Sequence, residues 1–205
     1  MKKIVITIAR SYGSGGRTLG KLLAKELGIP CYDHELVRMA SDESGINEAL
    51  FGEADEMKKS VSLFSGSKPY TGHVLPPDSP DFTSRDNLFA LQAKIIKELA
   101  EKESCIIIGR CADYVLKERD DVLRLFFYAP LTDCVTRAQQ LSGEPEKELL
   151  KKIHRIDKYR ADYYKYYTGN DWNDTRNYDF CLNTSSMSYQ KLIEVVKSYM
   201  EICGK

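Results

Sequence analysis

The chain alternates short apolar runs with longer stretches in which apolar residues recur every three or four positions. The first run, Lys3-Ile-Val-Ile-Thr-Ile8, is β-branched almost throughout, the pattern of a strand covered on both faces. Thr18 to Leu27 carries Leu19, Leu22, Leu23, Ala24 and Leu27 at helical spacing, with Gly28 as a stop. Further strands are predicted at Pro30-Cys-Tyr32, Ser104–Ile108, Val122–Tyr128 and Tyr178–Leu182. Helical periodicity covers Ser84–Lys102, Pro130–Leu141, Pro145–Tyr164 and Tyr189–Met200. Strands that alternate with helices predict an α/β fold, a parallel sheet with helices on both faces.

Residues 41–83 break this rhythm. Gly52, Gly66, Gly72, Pro69, Pro76, Pro77 and Pro80 fall there, with Ser65-Gly-Ser67 among them. The stretch reads as a partly helical insertion, either a flap over a substrate or a passive surface loop. No internal repeat is visible.

Composition narrows the partners. The chain has 205 residues, 42% of them hydrophobic, and its 30 basic side chains balance 30 acidic ones. That suits one domain with a proper core. It argues against a general binder of nucleic-acid polymers or membranes. No apolar run approaches the length of a span, and Ile4–Ala9 is too short for a signal peptide. A cytoplasmic protein is expected. Cys31, Cys105, Cys111, Cys134, Cys181 and Cys203 are scattered, as reduced thiols would be. His34, His73 and His154 show neither metal-ligand spacing nor a hydrolase triad.

The chemistry concentrates in Ala9-Arg-Ser-Tyr-Gly-Ser-Gly-Gly-Arg-Thr18, between a buried strand and an amphipathic helix. That is the setting of a phosphate-binding loop. Gly13, Gly15 and Gly16 permit backbone angles that turn successive N–H groups inward as an anion nest. The helix N-terminus adds its dipole. Ser11, Ser14 and Thr18 add hydroxyls, and Thr18 is the candidate magnesium ligand. Against Gly-x-x-x-x-Gly-Lys-Ser/Thr, Arg10 stands at the first glycine and Gly16 at the lysine. Arg17 is the expected substitute cation, with Arg10 assisting from the start of the loop.

Other candidates lie at strand ends, where open α/β sheets bind ligands. Asp33 follows strand two. It could touch an acceptor, order water around magnesium, or cap the helix 34–39. Arg38 faces either an acceptor phosphate or solvent. Arg110 ends strand three, where an anion ligand is expected. His154, Arg155, Asp157, Lys158 and Arg160 crowd one helix. Either they form a solvated face, or Arg155 and Arg160 close on a transferring phosphoryl group. The run of Tyr159, Tyr163, Tyr164, Tyr166, Tyr167 and Trp172 reads as packing.

The loop, Leu27-Gly-Ile-Pro-Cys-Tyr-Asp33, Ile107-Ile-Gly-Arg110, Asp157 with Arg160, and Tyr163-Tyr-Lys-Tyr-Tyr-Thr-Gly169 through Trp172 and Tyr178-Asp179 together resemble the cytidylate kinase-like family of P-loop kinases. The resemblance covers nearly the whole chain outside the insertion. It implies a three-layer P-loop NTPase fold with a five-stranded parallel sheet. It also implies a substrate-binding insertion after strand two and an arginine-bearing lid, here residues 144–175, to which Asp157 and Arg160 would belong. In true cytidylate kinases the arginine matching Arg110 contacts the substrate phosphate, and the aspartate after it helps to read cytosine. Here Cys111 follows, and the nearest carboxylate is Asp113. The expected reaction is ATP- and magnesium-dependent phosphoryl transfer to a small acceptor such as a nucleoside monophosphate, bound between Asp33–Arg38, Arg110 and Asp113. The rival is a nucleotide-binding module with little or no turnover. A homo-oligomer is compatible with either.

Overall fold

The computed structural model describes residues 3–55 and 68–205. Its five strands are β1 (Val5–Arg10), β2 (Cys31–Tyr32), β3 (Cys105–Ile108), β4 (Val122–Tyr128) and β5 (Phe180–Asn183). They form one parallel sheet in the order β2-β3-β1-β4-β5. The central strand β1 is flanked by β3 and β4, with Ile8 opposite Ile108 on one side and Leu125 on the other. Its near-continuous apolar run is explained by cover on both faces.

Alternation splits the strand side chains between two cores. Ile4, Ile6 and Ile8 join Leu123, Leu125 and Phe127 beneath α1 (Gly16–Leu27) and α8 (Tyr189–Ile202). Val5, Ala9, Val122 and Phe126 face the opposite layer, built from α2 (Glu35–Ser44), α4 (Arg85–Lys102) and α7 (Glu146–Thr168). Between these, α3 (Glu48–Asp55), α5 (Ala112–Val115) and α6 (Leu131–Ser142) complete the helices among the described residues.

Helix ends follow sequence signals. Ser84 and Ser188 accept backbone N–H groups from Asn87 and Lys191 to cap α4 and α8. Gly28 ends α1 in the left-handed region. The aromatic run packs: Tyr167 stacks on Phe89 with ring centroids 4.0 Å apart, and Trp172 meets Phe126 edge-on.

Of the stretch 41–83, α3 supplies a helical part, and residues 68–83 are irregular but tied down. Lys68 and Tyr70 donate backbone N–H groups to the carbonyls of Tyr166 and Tyr167. Asn87 holds the segment from α4, bonding Leu75 and Phe82. The remainder of that stretch, with Gly66 and Ser65-Gly-Ser67, lies outside the described residues. Residues 144–175 consist of one long helix, α7, followed by a loop and a 3-10 turn at Thr175–Asn177. No helix among the described residues is long and apolar enough to cross a membrane.

Candidate active site

The loop leaving β1 is held as a compact turn. Ser11 donates its N–H to Phe127 on β4 at 3.0 Å. The Ser14 hydroxyl is buried, donating to the Ser11 carbonyl at 2.8 Å and accepting the Gly16 N–H at 3.3 Å. It therefore shapes the loop from within. Gly13, at φ +76°, lies so close to α6 that an added Cβ would sit 2.5 Å from the Cys134 carbonyl oxygen. Among the described residues, the N–H groups of Gly13, Gly15, Arg17 and Thr18 have no protein partner, and neither has the Thr18 hydroxyl. Arg17 and Thr18 are exposed on the first turn of α1. Free amides at a helix N-terminus are the elements of an anion site.

Two residues absent from the sequence-based candidates brace the loop. Arg137 on α6 donates to the Ser14 carbonyl at 2.8 Å and to Thr184 at 2.7 Å. Thr184, just past β5, donates its hydroxyl to the same Ser14 carbonyl. These residues lie 123 and 170 positions from Ser14. The only available hint was the hydroxyl-rich run Thr184-Ser-Ser186 at the end of a strand.

Charged groups gather at the C-terminal edge of the sheet. Asp157 on α7 accepts the Tyr12 N–H at 2.8 Å and pairs with Arg160 at 3.2 Å. Arg160 in turn donates to the Arg10 carbonyl at 2.9 Å. Arg17 Nε approaches Asp33 Oδ2 to 2.5 Å. Its N–H is not aimed at that oxygen, however, which is buried without a hydrogen-bond partner. Arg10 lies 3.9 Å from Asp33 Oδ1. Burial, then the nearby Arg160, with Arg110 and Arg17 adding, lowers the Arg10 guanidinium to about 9. Burial also lowers Arg160 and raises Asp157, although their pairing opposes both shifts. Arg110 and Cys111 both adopt positive φ, at 58° and 52°. Such strain in residues other than glycine concentrates at functional positions.

The structure thus brings Arg10, Ser11, Gly13, Ser14, Gly15, Gly16, Arg17, Thr18, Asp33, Arg110, Asp157 and Arg160 to one sheet edge. Three predicted residues stand apart. Arg38 is exposed on α2 and Arg155 is exposed on α7, neither with a polar partner among the described residues. Arg155 is two residues from both Ile153, which is buried, and Asp157, so it points away from the face that meets the loop. Asp113 is buried beneath α7, where its carboxylate accepts the Tyr164 hydroxyl at 2.6 Å. It lines a different cleft of about 470 Å³ with Lys117, Arg124, Arg176 and Asp179. Its carboxyl is raised to about 6, chiefly by burial.

A family model described as the cytidylate kinase-like family matches residues 5–186. The cytidylate kinase of Methanosarcina mazei is 26% identical over 200 residues, covering 94% of this chain and 93% of that protein. The cytidylate kinase of Methanosphaerula palustris is 27% identical over 190 residues, covering 91% and 92%. Among solved structures, an uncharacterized protein from Eubacterium ventriosum matches with a TM-score of 0.73 at 24% identity, covering 97% of this chain and 99% of that one. Shikimate kinase from Bacteroides thetaiotaomicron matches at 0.55 and 17% identity, covering 98% and 99%. These two likenesses concern the fold. The matched span contains the loop, Gly109-Arg110 and the Asp157–Arg160 pair: the chain belongs to the cytidylate kinase-like family.

Proposed function

We propose that the chain is a kinase that transfers the terminal phosphoryl group of ATP to a small acceptor, a nucleoside monophosphate. One observation carries this reading. The guanidinium groups of Arg160, Arg110 and Arg17 all lie close enough to that of Arg10 to bear on it, with the carboxylates of Asp33 and Asp157 set among them. Beside them are loop amides without a protein partner. A half-buried surplus of positive charge next to free N–H groups is a receptor for polyphosphate.

The residues divide by position. The amides of Gly13, Gly15, Arg17 and Thr18 bind the phosphates of ATP. Arg160 neutralises charge that spreads over the transferring group, and Arg110, at the end of β3, orients the acceptor phosphate. Transfer needs no covalent enzyme intermediate, because alignment and charge neutralisation lower the barrier. Asp33 Oδ2, buried beside Arg17 Nε yet without a hydrogen bond, suits an acceptor hydroxyl or metal-bound water once Arg17 turns to the phosphates. Magnesium fits the same donors: Thr18 would ligate it and Asp33 would order its water, and when bound it draws charge from the phosphate oxygens. Such an enzyme would work in the cytoplasm.

ATP consumption over a panel of nucleoside monophosphates, CMP first, tests the reading. Turnover with at least one is expected. ATP binding without turnover on any of them would favour the binding-module alternative.

A further inference from the structure

Position 16, where the common phosphate loop carries lysine, has no room for a side chain. A Cβ on Gly16 would lie 2.7 Å from Arg10 Cβ and 3.1 Å from Phe127 Cβ. The space is filled by the Cβ of Arg10 together with the Phe127 side chain, and Arg10, which leaves the end of β1, runs on across Gly109. There its guanidinium lies so close that any Cβ on Gly109 would collide with Nη1. Two glycines are thus shaped around one arginine.

The guanidinium itself lacks a hydrogen bond. The Arg10 side chain is only 19% exposed, and it donates no hydrogen bond to any described residue. The nearest carboxylate oxygen is 3.9 Å away. Burying a cation among other cations with one long ion pair and no hydrogen bond is costly. Such an arrangement persists when the missing partner is a ligand. Arg17 differs: its side chain is 51% exposed and already contacts Asp33.

We propose that Arg10, rather than Arg17, is the principal cation for the ATP phosphates, delivered from the strand end to the place that the loop lysine serves elsewhere. The proposal rests on the kinase reading and makes it specific. Arg10 forms no bond to phosphorus. Its planar N–H groups grip phosphate oxygens and hold their charge.

Calorimetric ATP binding by the unaltered chain, Arg10→Met, Arg10→Lys and Arg17→Ala tests this, with thermal unfolding of each without ligand. Methionine keeps the volume and removes the charge. Arg10→Met should weaken ATP binding about 30- to 100-fold, the loss of one strong charge-assisted contact. It should unfold no earlier than the unaltered chain, because an uncompensated buried charge is gone. Arg10→Lys should recover part of the affinity, and Arg17→Ala should lose less than Arg10→Met. Unchanged ATP affinity in Arg10→Met, or a larger loss in Arg17→Ala, overturns the proposal while leaving the kinase reading intact. A lowered unfolding temperature in Arg10→Met also overturns it, since Arg10 would then be a packing residue. No ATP binding by the unaltered chain overturns the kinase reading itself.

Discussion

Asp157 accepts the backbone N–H of Tyr12 at 2.8 Å, so a helix 145 residues further along the chain fixes the phosphate loop. A carboxylate on a backbone amide is a charge-assisted bond, and Arg160 ties the same helix to the Arg10 carbonyl. Asp157→Ala should lose about 2 kcal/mol of stability and raise the KM for ATP. Burial already raises the Asp157 carboxyl. Asp157→Asn, neutral and still an acceptor, should therefore stay near the stability of the unaltered chain. Urea unfolding of both variants checks this, and equal losses would contradict it.

Arg137 and Thr184 clamp the Ser14 carbonyl. Arg137→Ala should raise the KM for ATP about tenfold, the equivalent of roughly one lost hydrogen bond to a charged group. The KM for the acceptor should not change. Steady-state kinetics with each substrate varied in turn separates this positioning role from general destabilisation, which would lower kcat with both.

Two left-handed glycines give opposite expectations. Gly13 has φ +76° and faces the rigid Cys134 backbone, whereas Gly28 has φ +65° and open space around it. Gly28→Ala should cost only the backbone strain, about 1–2 kcal/mol. Gly13→Ala should cost more and displace the loop, so that ATP affinity falls with stability. Thermal unfolding with and without ATP measures both.

Asp113 gives a pH prediction. Its folded carboxyl is raised to about 6 from 3.8, so the folded chain holds the proton more tightly than the unfolded one. Its contribution to stability is then most favourable below pH 4, and it is lost as pH rises through 6. Asp113→Asn keeps an acceptor for the Tyr164 hydroxyl and removes the buried charge. It should be more stable than the unaltered chain at pH 7.5, by up to about 3 kcal/mol. The gain should shrink toward pH 4. A constant difference across that range would show that Asp113 does not titrate as described.

The architecture was readable because each strand and helix announces itself locally. The Val122–Tyr128 strand has the predicted bounds, and α4 begins one residue after its Ser84 cap. Helix α7 runs four residues past the predicted Tyr164, because Tyr167 and Thr168 remain buried in the core while only Gly169 breaks the turn. The loop was legible from its glycines, and the Asp157–Arg160 pair from its spacing. The direction of long side chains was not. Arg38 and Arg155 carry the right charge yet point outward, and Asp113 turns under α7. The Arg137–Thr184 clamp joins segments that only the finished sheet brings together. Nor could sequence alone reveal that Gly16 is small because Arg10 passes beside it.

Helix α7 touches the phosphate loop through Asp157 and Arg160, and further along it receives Lys68 and Tyr70 at the carbonyls of Tyr166 and Tyr167. At a rise of roughly 1.5 Å per residue, these two anchorages lie about 9 to 15 Å apart on one stiff rod. Any tilt of that rod is felt at both. A tilt imposed at the loop end would therefore move the backbone at Lys68 and Tyr70 by leverage alone.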